Sequence, residues 1–123
     1  MKKIVALAAL LGLAATVSPA LALERGDWVL GNWQGGRYWF PGIVQKAGGG
    51  QVTIQYDDGT RETLPRNMVK RYNWTIGTRV ECDWQSGGTW YKGKITQLNG
   101  GNLTVAYDDG DRERTVTGKC RSR

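Results

Sequence analysis

The sequence predicts an all-β chain made of two consecutive small barrels of five short strands each, and three observations carry that expectation. The chain repeats itself at a fixed offset, its apolar residues alternate with period two, and glycine is abundant while proline is scarce, at 18 Gly and 3 Pro. Short alternating runs separated by glycine-rich turns read as strands in tight hairpins, and few helix formers run together after Ala22.

Residues 1–22 stand outside this pattern. Lys2 and Lys3 precede an apolar run from Ile4 to Val17, and Ala20-Leu21-Ala22 places small residues at −3 and −1 of a cleavage point. These are the three zones of a secretory signal peptide, and the apolar run is shorter than the ~20 residues that a membrane span requires. The expectation is cleavage after Ala22, export to the periplasm or beyond the cell, and no membrane span in the mature chain. Without Lys2 and Lys3, 15 Lys and Arg face 11 Asp and Glu, so the mature chain carries a modest +4. It has no His, and so lacks the commonest general base.

Setting Trp33 over Trp84 gives an offset of 51 residues that aligns the chain without gaps from Gly26/Gly77 to Glu62/Glu113. Val29/Val80, Gln34/Gln85, Trp39/Trp90, Gly42/Gly93, Tyr56/Tyr107, Asp58/Asp109, Gly59/Gly110 and Arg61/Arg112 are identical pairs. Identity this dense marks one duplicated module. The expected organisation is a signal peptide over 1–22, a first barrel over 23–72, a short linker over 73–76 and a second barrel over 77–123.

The elements follow in order, most clearly in the second copy. Val80, Cys82 and Trp84 share one face of a first strand, with Arg79, Glu81 and Asp83 on the other. A polar turn at Gln85 to Gly88 leads to a second strand with Tyr91, Gly93 and Ile95 on its core side. Leu103, Val105 and Tyr107 do the same on a third, and the Asp108-Asp109-Gly110 turn opens a fourth. In the first copy a fifth strand falls at Asn67 to Arg71. Curling five strands into a barrel removes the edges that a flat sheet exposes.

A unit of about fifty residues is near the lower limit for independent folding, so extra fastening is expected. The connector Tyr72-Asn73-Trp74-Thr75-Ile76 is short and carries large apolar groups that can dock one barrel on the other. Cys82 and Cys120 are the only cysteines. In an oxidising compartment they pair as a disulfide; the alternative is two buried thiols, because no His or further Cys completes a metal site. Copy one has Gly31 and Val69 at the matching positions.

Antiparallel connectivity places Trp84 at the end of the first strand, Tyr91 at the start of the second and Tyr107 at the end of the third, all at one mouth of the barrel. Asp109 joins them from the following turn. Copy one repeats the set as Trp33, Phe40, Tyr56 and Asp58. Ring faces beside a carboxylate suit a cation. The competing reading is that the rings plug the barrel end and that Asp-Asp-Gly is only hairpin chemistry. Trp39 and Trp90 point to the opposite face, either packing under a loop or between modules, or forming an exposed ligand platform. Arg61-Glu62 and Arg112-Glu113 read as cross-strand charge pairs on a solvated face. Lys119, Arg121 and Arg123 read as a solvated tail, with contact to nucleic acid or another acidic polymer as the alternative.

Trp33 to Gly42 (WQGGRYWFPG) with Tyr56 to Gly59 (YDDG), and Trp84 to Gly93 (WQSGGTWYKG) with Tyr107 to Gly110 (YDDG), resemble Tudor domains, including the Agenet type. That resemblance implies SH3-like barrels and an aromatic cage for methylated lysine or arginine. By motif position the cages are Trp33, Phe40, Tyr56 and Asp58, and Trp84, Tyr91, Tyr107 and Asp109. A further cage position, often aromatic in the family, is Thr60 in one copy and Asp111 in the other.

The leading expectation is an exported, non-enzymatic binding module for a cationic side chain, methylated or not, or a peptide that carries one. A cell-wall glycan or peptidoglycan binder, and an assembly protein without a small ligand, are the alternatives. Lys and Arg are interspersed with acids instead of forming a stripe, which argues against nucleic acid. Adjacent turn carboxylates such as Asp57/Asp58 splay apart, so no catalytic pair, cofactor or metal is expected.

Overall fold

The structure, a computed structural model, describes residues 22–123; the predicted signal peptide lies outside the described residues except for Ala22. The first copy folds as β1 (Trp28–Gly31), β2 (Phe40–Gly48), β3 (Gln51–Tyr56), β4 (Arg61–Pro65) and β5 (Val69–Arg71). The second repeats it as β6 (Arg79–Asp83), β7 (Trp90–Asn99), β8 (Asn102–Tyr107), β9 (Arg112–Val116) and β10 (Cys120–Arg121). Each set forms one antiparallel sheet, in the orders β4-β3-β2-β1-β5 and β9-β8-β7-β6-β10, curled as an SH3-like barrel.

Alternation builds the interior as expected. Val52, Ile54 and Tyr56 on β3, and Leu103, Val105 and Tyr107 on β8, are buried. The long second strands bend at a bulge, where the register slips between Val44 and Lys46 and between Ile95 and Gln97. One extra residue there increases the local twist and lets a nine- or ten-residue strand wrap its small core. Gly42 and Gly93 sit where strands approach most closely: a Cβ on Gly42 would lie 2.6 Å from Ile54 Cγ2, and one on Gly93 would lie 2.6 Å from the Ala106 carbonyl oxygen.

Three expectations need correction. Trp33 and Trp84 do not extend their first strands; each opens a 3₁₀ turn, Trp33–Gly35 and Trp84–Ser86, because Gln34 and Gln85 turn the chain with φ of 52° and 50°. The fifth strand is shorter than Asn67 to Arg71, because Arg66–Met68 is also a 3₁₀ turn. Arg121 and Arg123 do not form a solvated tail: Glu81 is buried, with Arg121 Nη2 3.0 Å and Arg123 Nε 3.3 Å from its carboxylate oxygens. Both arginines are therefore fixed.

The Cys82–Cys120 disulfide links β6 to β10, whose residues 82 and 120 face each other in register. Gly31 and Val69 face each other in the same way in the first barrel. The barrels also share a core. Leu30, fully buried on β1, packs with Trp74, Val80, Ile95 and Val105, and Trp39 and Tyr72 join the edge of that cluster. Trp74 donates its indole N–H to Ser122 Oγ at 3.2 Å, and Trp39 and Ser122 exchange backbone hydrogen bonds of 2.7 and 3.0 Å. Of the connector, Tyr72 and Trp74 do the docking, while Ile76 stays exposed.

Candidate functional site

The three ring positions of each mouth come from three different elements. In barrel one the 3₁₀ turn supplies Trp33, the start of β2 supplies Phe40 and the end of β3 supplies Tyr56. Tyr56 stands edge-on to both neighbours, with ring centroids 5.7 Å from Trp33 and 6.3 Å from Phe40. With Asp58 and Thr60 from the hairpin, these rings bound a recess of about 210 Å³. Barrel two places Trp84, Tyr91, Tyr107, Asp109 and Asp111 around a recess of about 250 Å³. There Tyr91 lies edge-on to Trp84 and Tyr107, at 6.3 Å from each.

Two residues that position these rings escaped the sequence reading. Glu62 and Glu113 do not form surface charge pairs with their neighbouring arginines. Tyr56 donates its hydroxyl to Glu62 Oε1 at 2.6 Å, and Gln34 donates its backbone N–H to Glu62 Oε2 at 3.0 Å. Tyr107 and Gln85 do the same with Glu113, at 2.6 and 2.9 Å. One carboxylate thus holds the floor tyrosine and the left-handed residue that follows the wall tryptophan. That backbone conformation costs a non-glycine residue on the order of 1 kcal/mol, which a charge-assisted hydrogen bond offsets. Burial first, then the Glu62 hydrogen bond and charge, pushes the Tyr56 phenol well above its ordinary value. Tyr107 is raised by the same causes, with Asp83 and Asp109 adding to them. Both phenols stay neutral donors.

The turn carboxylates serve the turn as well as the recess. Asp58 Oδ1 accepts from the Thr60 backbone N–H at 2.9 Å and from its hydroxyl at 2.6 Å, and Asp109 Oδ1 accepts from the Asp111 N–H at 2.9 Å. Each carboxylate keeps its second oxygen without a hydrogen-bond partner among the described residues. The two recesses differ at their rims. Phe40 is braced from behind by Trp90, edge-on at 6.2 Å, whereas Trp84 and Tyr91 are 38% and 44% exposed. Trp39 and Trp90 thus pack between the modules. The second recess has the more exposed rings and, with Asp111 in place of Thr60, is the more acidic.

Among the described residues no cluster of His, Cys, Asp and Glu could hold a metal ion, and no helix is long and apolar enough to cross a membrane. The Agenet domain model matches residues 77–120, the second barrel. No curated protein matches the chain. Among solved structures, the chain is similar to the tandem Agenet domain 3-4 of ADCP1, at 13% identity and a TM-score of 0.38, covering 81% of this chain and 79% of that one. It is also similar to AGD34 of Arabidopsis thaliana AGDP1, at 13% identity and a TM-score of 0.39, covering 81% and 82%.

Proposed function

We propose that the chain is an exported, non-enzymatic binding module whose two barrel mouths each take a cationic side chain, with methylated ammonium groups the preferred form. The observation that carries this reading is the recess bounded by three rings and a turn carboxylate, built twice from matching positions. Ring faces attract a cation by about 0.5–2 kcal/mol each, and methylation lowers the cost of stripping water from an ammonium. One mouth then supports micromolar to millimolar affinity, and two engaged together gain by avidity. The Cys82–Cys120 disulfide favours an oxidising compartment, in agreement with export.

The test is a tryptophan-fluorescence titration with lysine peptides carrying zero to three methyl groups, and with choline. Trp33 and Trp84 stand in turns outside the strand ladders, so Trp33→Ala and Trp84→Ala each remove one mouth. Affinity rising with methylation, and halved stoichiometry in each variant, are the expected results. No response to any of these cations, with co-sedimentation on peptidoglycan that both variants retain, would replace this reading by cell-wall binding. N-terminal sequencing of protein recovered outside the cytoplasm is expected to begin at Leu23.

A further inference from the structure

The 51-residue offset maps the docking face of barrel one onto a surface of barrel two where, among the described residues, Arg79, Lys92 and Lys94 stay exposed. On barrel one the outward pairs of β1 and β2 are Trp28 opposite Ile43 and Leu30 opposite Pro41. They are apolar, and barrel two closes against the second pair while Trp28 and Ile43 stay partly exposed beside the junction: Leu30 enters its core cluster, Thr117 donates its hydroxyl to Asp57, and Gly118 lies so close that a Cβ there would be 2.8 Å from the Asp57 carbonyl. The equivalent pairs on barrel two are Arg79 opposite Lys94 and Glu81 opposite Lys92. Arg123 stands where barrel one has Tyr72, and Asp108 where it has Asp57.

The face keeps its backbone form and exchanges apolar groups for cations. It holds a depression of about 290 Å³ lined by Arg79, Glu81, Lys92, Arg121 and Arg123. Arg79, Lys92, Lys94, Arg121 and Arg123 stand against two carboxylates, Glu81 and Asp108, an excess of three positive charges. Lys92 and Lys94 are exposed and form no ion pair among the described residues. Arg79 and Lys94 are like charges directly opposite each other on the sheet, a placement that costs stability, and Asp108 offsets that cost by pairing with Arg79. The guanidinium of Arg121 is already ordered, 3.8 Å from the centre of the Tyr38 ring and 4.4 Å from that of Trp90, while buried Glu81 holds its inner edge. A partner that meets it has less side-chain entropy to overcome.

We propose that this outer face of β6, β7 and β10 is a docking surface for an acidic peptide segment of a partner protein. Its arginines already show the chemistry they accept, pairing with side-chain carboxylates: Arg79 binds Asp108 through both Nη atoms, at 2.8 and 2.6 Å. An acidic peptide is favoured over nucleic acid because the large rings at this face are occupied, Trp90 by Arg121 and Phe40, which leaves no platform for base stacking. The surface is separate from both ring-lined recesses, so the proposal stands or falls independently of the mouths.

The experiment measures binding of the folded chain to a short glutamate-rich peptide, with a lysine-rich peptide and duplex DNA as comparison probes, at low and raised salt. The glutamate peptide is expected to bind, to weaken with salt, and to lose at least about tenfold in affinity in Lys92→Glu/Lys94→Glu, because rim attraction becomes repulsion. Trp84→Ala is expected to leave that affinity unchanged. Thermal unfolding checks the fold of the double variant, and if it is lost Lys92→Ala/Lys94→Ala takes its place with a smaller loss. No binding of the glutamate peptide at low salt, equal binding by the lysine variants, or duplex DNA binding that the peptide cannot displace would each overturn the proposal.

Discussion

Barrel one and barrel two share their strand order and the build of their mouths. Both hold a floor tyrosine by a glutamate, and both carry a left-handed glutamine after the wall tryptophan. They differ in what fastens them and in what covers their outer face. Barrel one leans on its neighbour through Leu30, Trp39 and Tyr72, whereas barrel two is closed by a disulfide and faced with an ionic network around Glu81. The difference teaches which positions of a duplicated module are free to diverge. The mouth is built from residues that depend on one another within one barrel, while the outer face depends on whether a neighbour sits on it.

The sharpest break of this comparison is to write barrel two's residue into barrel one. Leu30→Glu places a carboxylate where only one of Glu81's two arginine partners has a cationic counterpart: Lys70 faces Leu30 in the ladder as Arg121 faces Glu81, but it lies 4.4 Å over Trp39, and position 72 carries Tyr72. A carboxylate in a fully buried site that can gain Lys70 only by drawing it off Trp39 is expected to cost more than about 4 kcal/mol. Leu30→Ala, which leaves only a cavity, is expected to cost about 2–5 kcal/mol. Denaturant unfolding monitored by tryptophan fluorescence measures both. Equal stability of Leu30→Glu and wild type would mean that the barrels do not depend on this junction.

Next in size is the disulfide. Opening it through Cys82→Ala/Cys120→Ala, across a sequence separation of 38 residues, is expected to cost about 3–4 kcal/mol. In the intact protein, hydrogen exchange is expected to be slower on β8 than on β3, since only barrel two has a covalent clasp. Better protection of β3 would make barrel one the anchor and reverse the assignment. The register invites the converse design, Gly31→Cys/Val69→Cys. A Cβ at Gly31, however, would lie 2.5 Å from the Tyr56 hydroxyl, so a clasp there displaces the floor of the first mouth.

Smaller effects separate the two mouths. Glu62→Ala and Glu113→Ala each leave a buried tyrosine hydroxyl without its acceptor and release the strained turn, at an expected cost of about 1–3 kcal/mol. The larger loss is expected in barrel one, where Phe40, edge-on to Tyr56, is braced by Trp90. Thermal unfolding of the two variants side by side decides it, and equal losses would mean that the bracing adds nothing.

The mouths were legible in the sequence because alternation and antiparallel connectivity suffice to bring Trp84, Tyr91, Tyr107 and Asp109 to one end of a barrel. The strand count and the disulfide pair were legible for the same local reasons. Glu62 and Glu113 were not, because an Arg-Glu dipeptide on a predicted strand resembles solvated surface. The missed signal was the strand period, since Glu62 shares a face with buried Leu64 and lies opposite Ile54 in the ladder. The burial of Glu81 was beyond local reading. It depends on Arg121 and Arg123, about forty residues away in sequence, and on Tyr38 and Trp90 ordering the first of them. Leu30 is the same case in apolar form, since a leucine on the outward face of a first strand becomes core only once the second barrel is docked.

The last comparison is alkaline. Tyr56, Tyr72 and Tyr107 are all held neutral by burial, and Tyr72, whose hydroxyl has no hydrogen-bond partner among the described residues, is pushed up to about 12, with Asp57 adding to the effect. A phenol whose ionisation is raised by folding contributes its full stability below the unfolded value of about 10 and loses that contribution as pH climbs through the folded value. Stability is therefore expected to be flat with respect to these groups below pH ~10 and to fall above it. Barrel one and the junction hold two of the three, Tyr56 and Tyr72, so loss of the β-sheet signal is expected to begin there, with barrel two retained by Tyr107 alone and by its disulfide. Tyrosinate absorbance followed together with far-ultraviolet circular dichroism tests this. Ionisation of all five tyrosines before any loss of sheet signal would show that burial does not hold these phenols neutral.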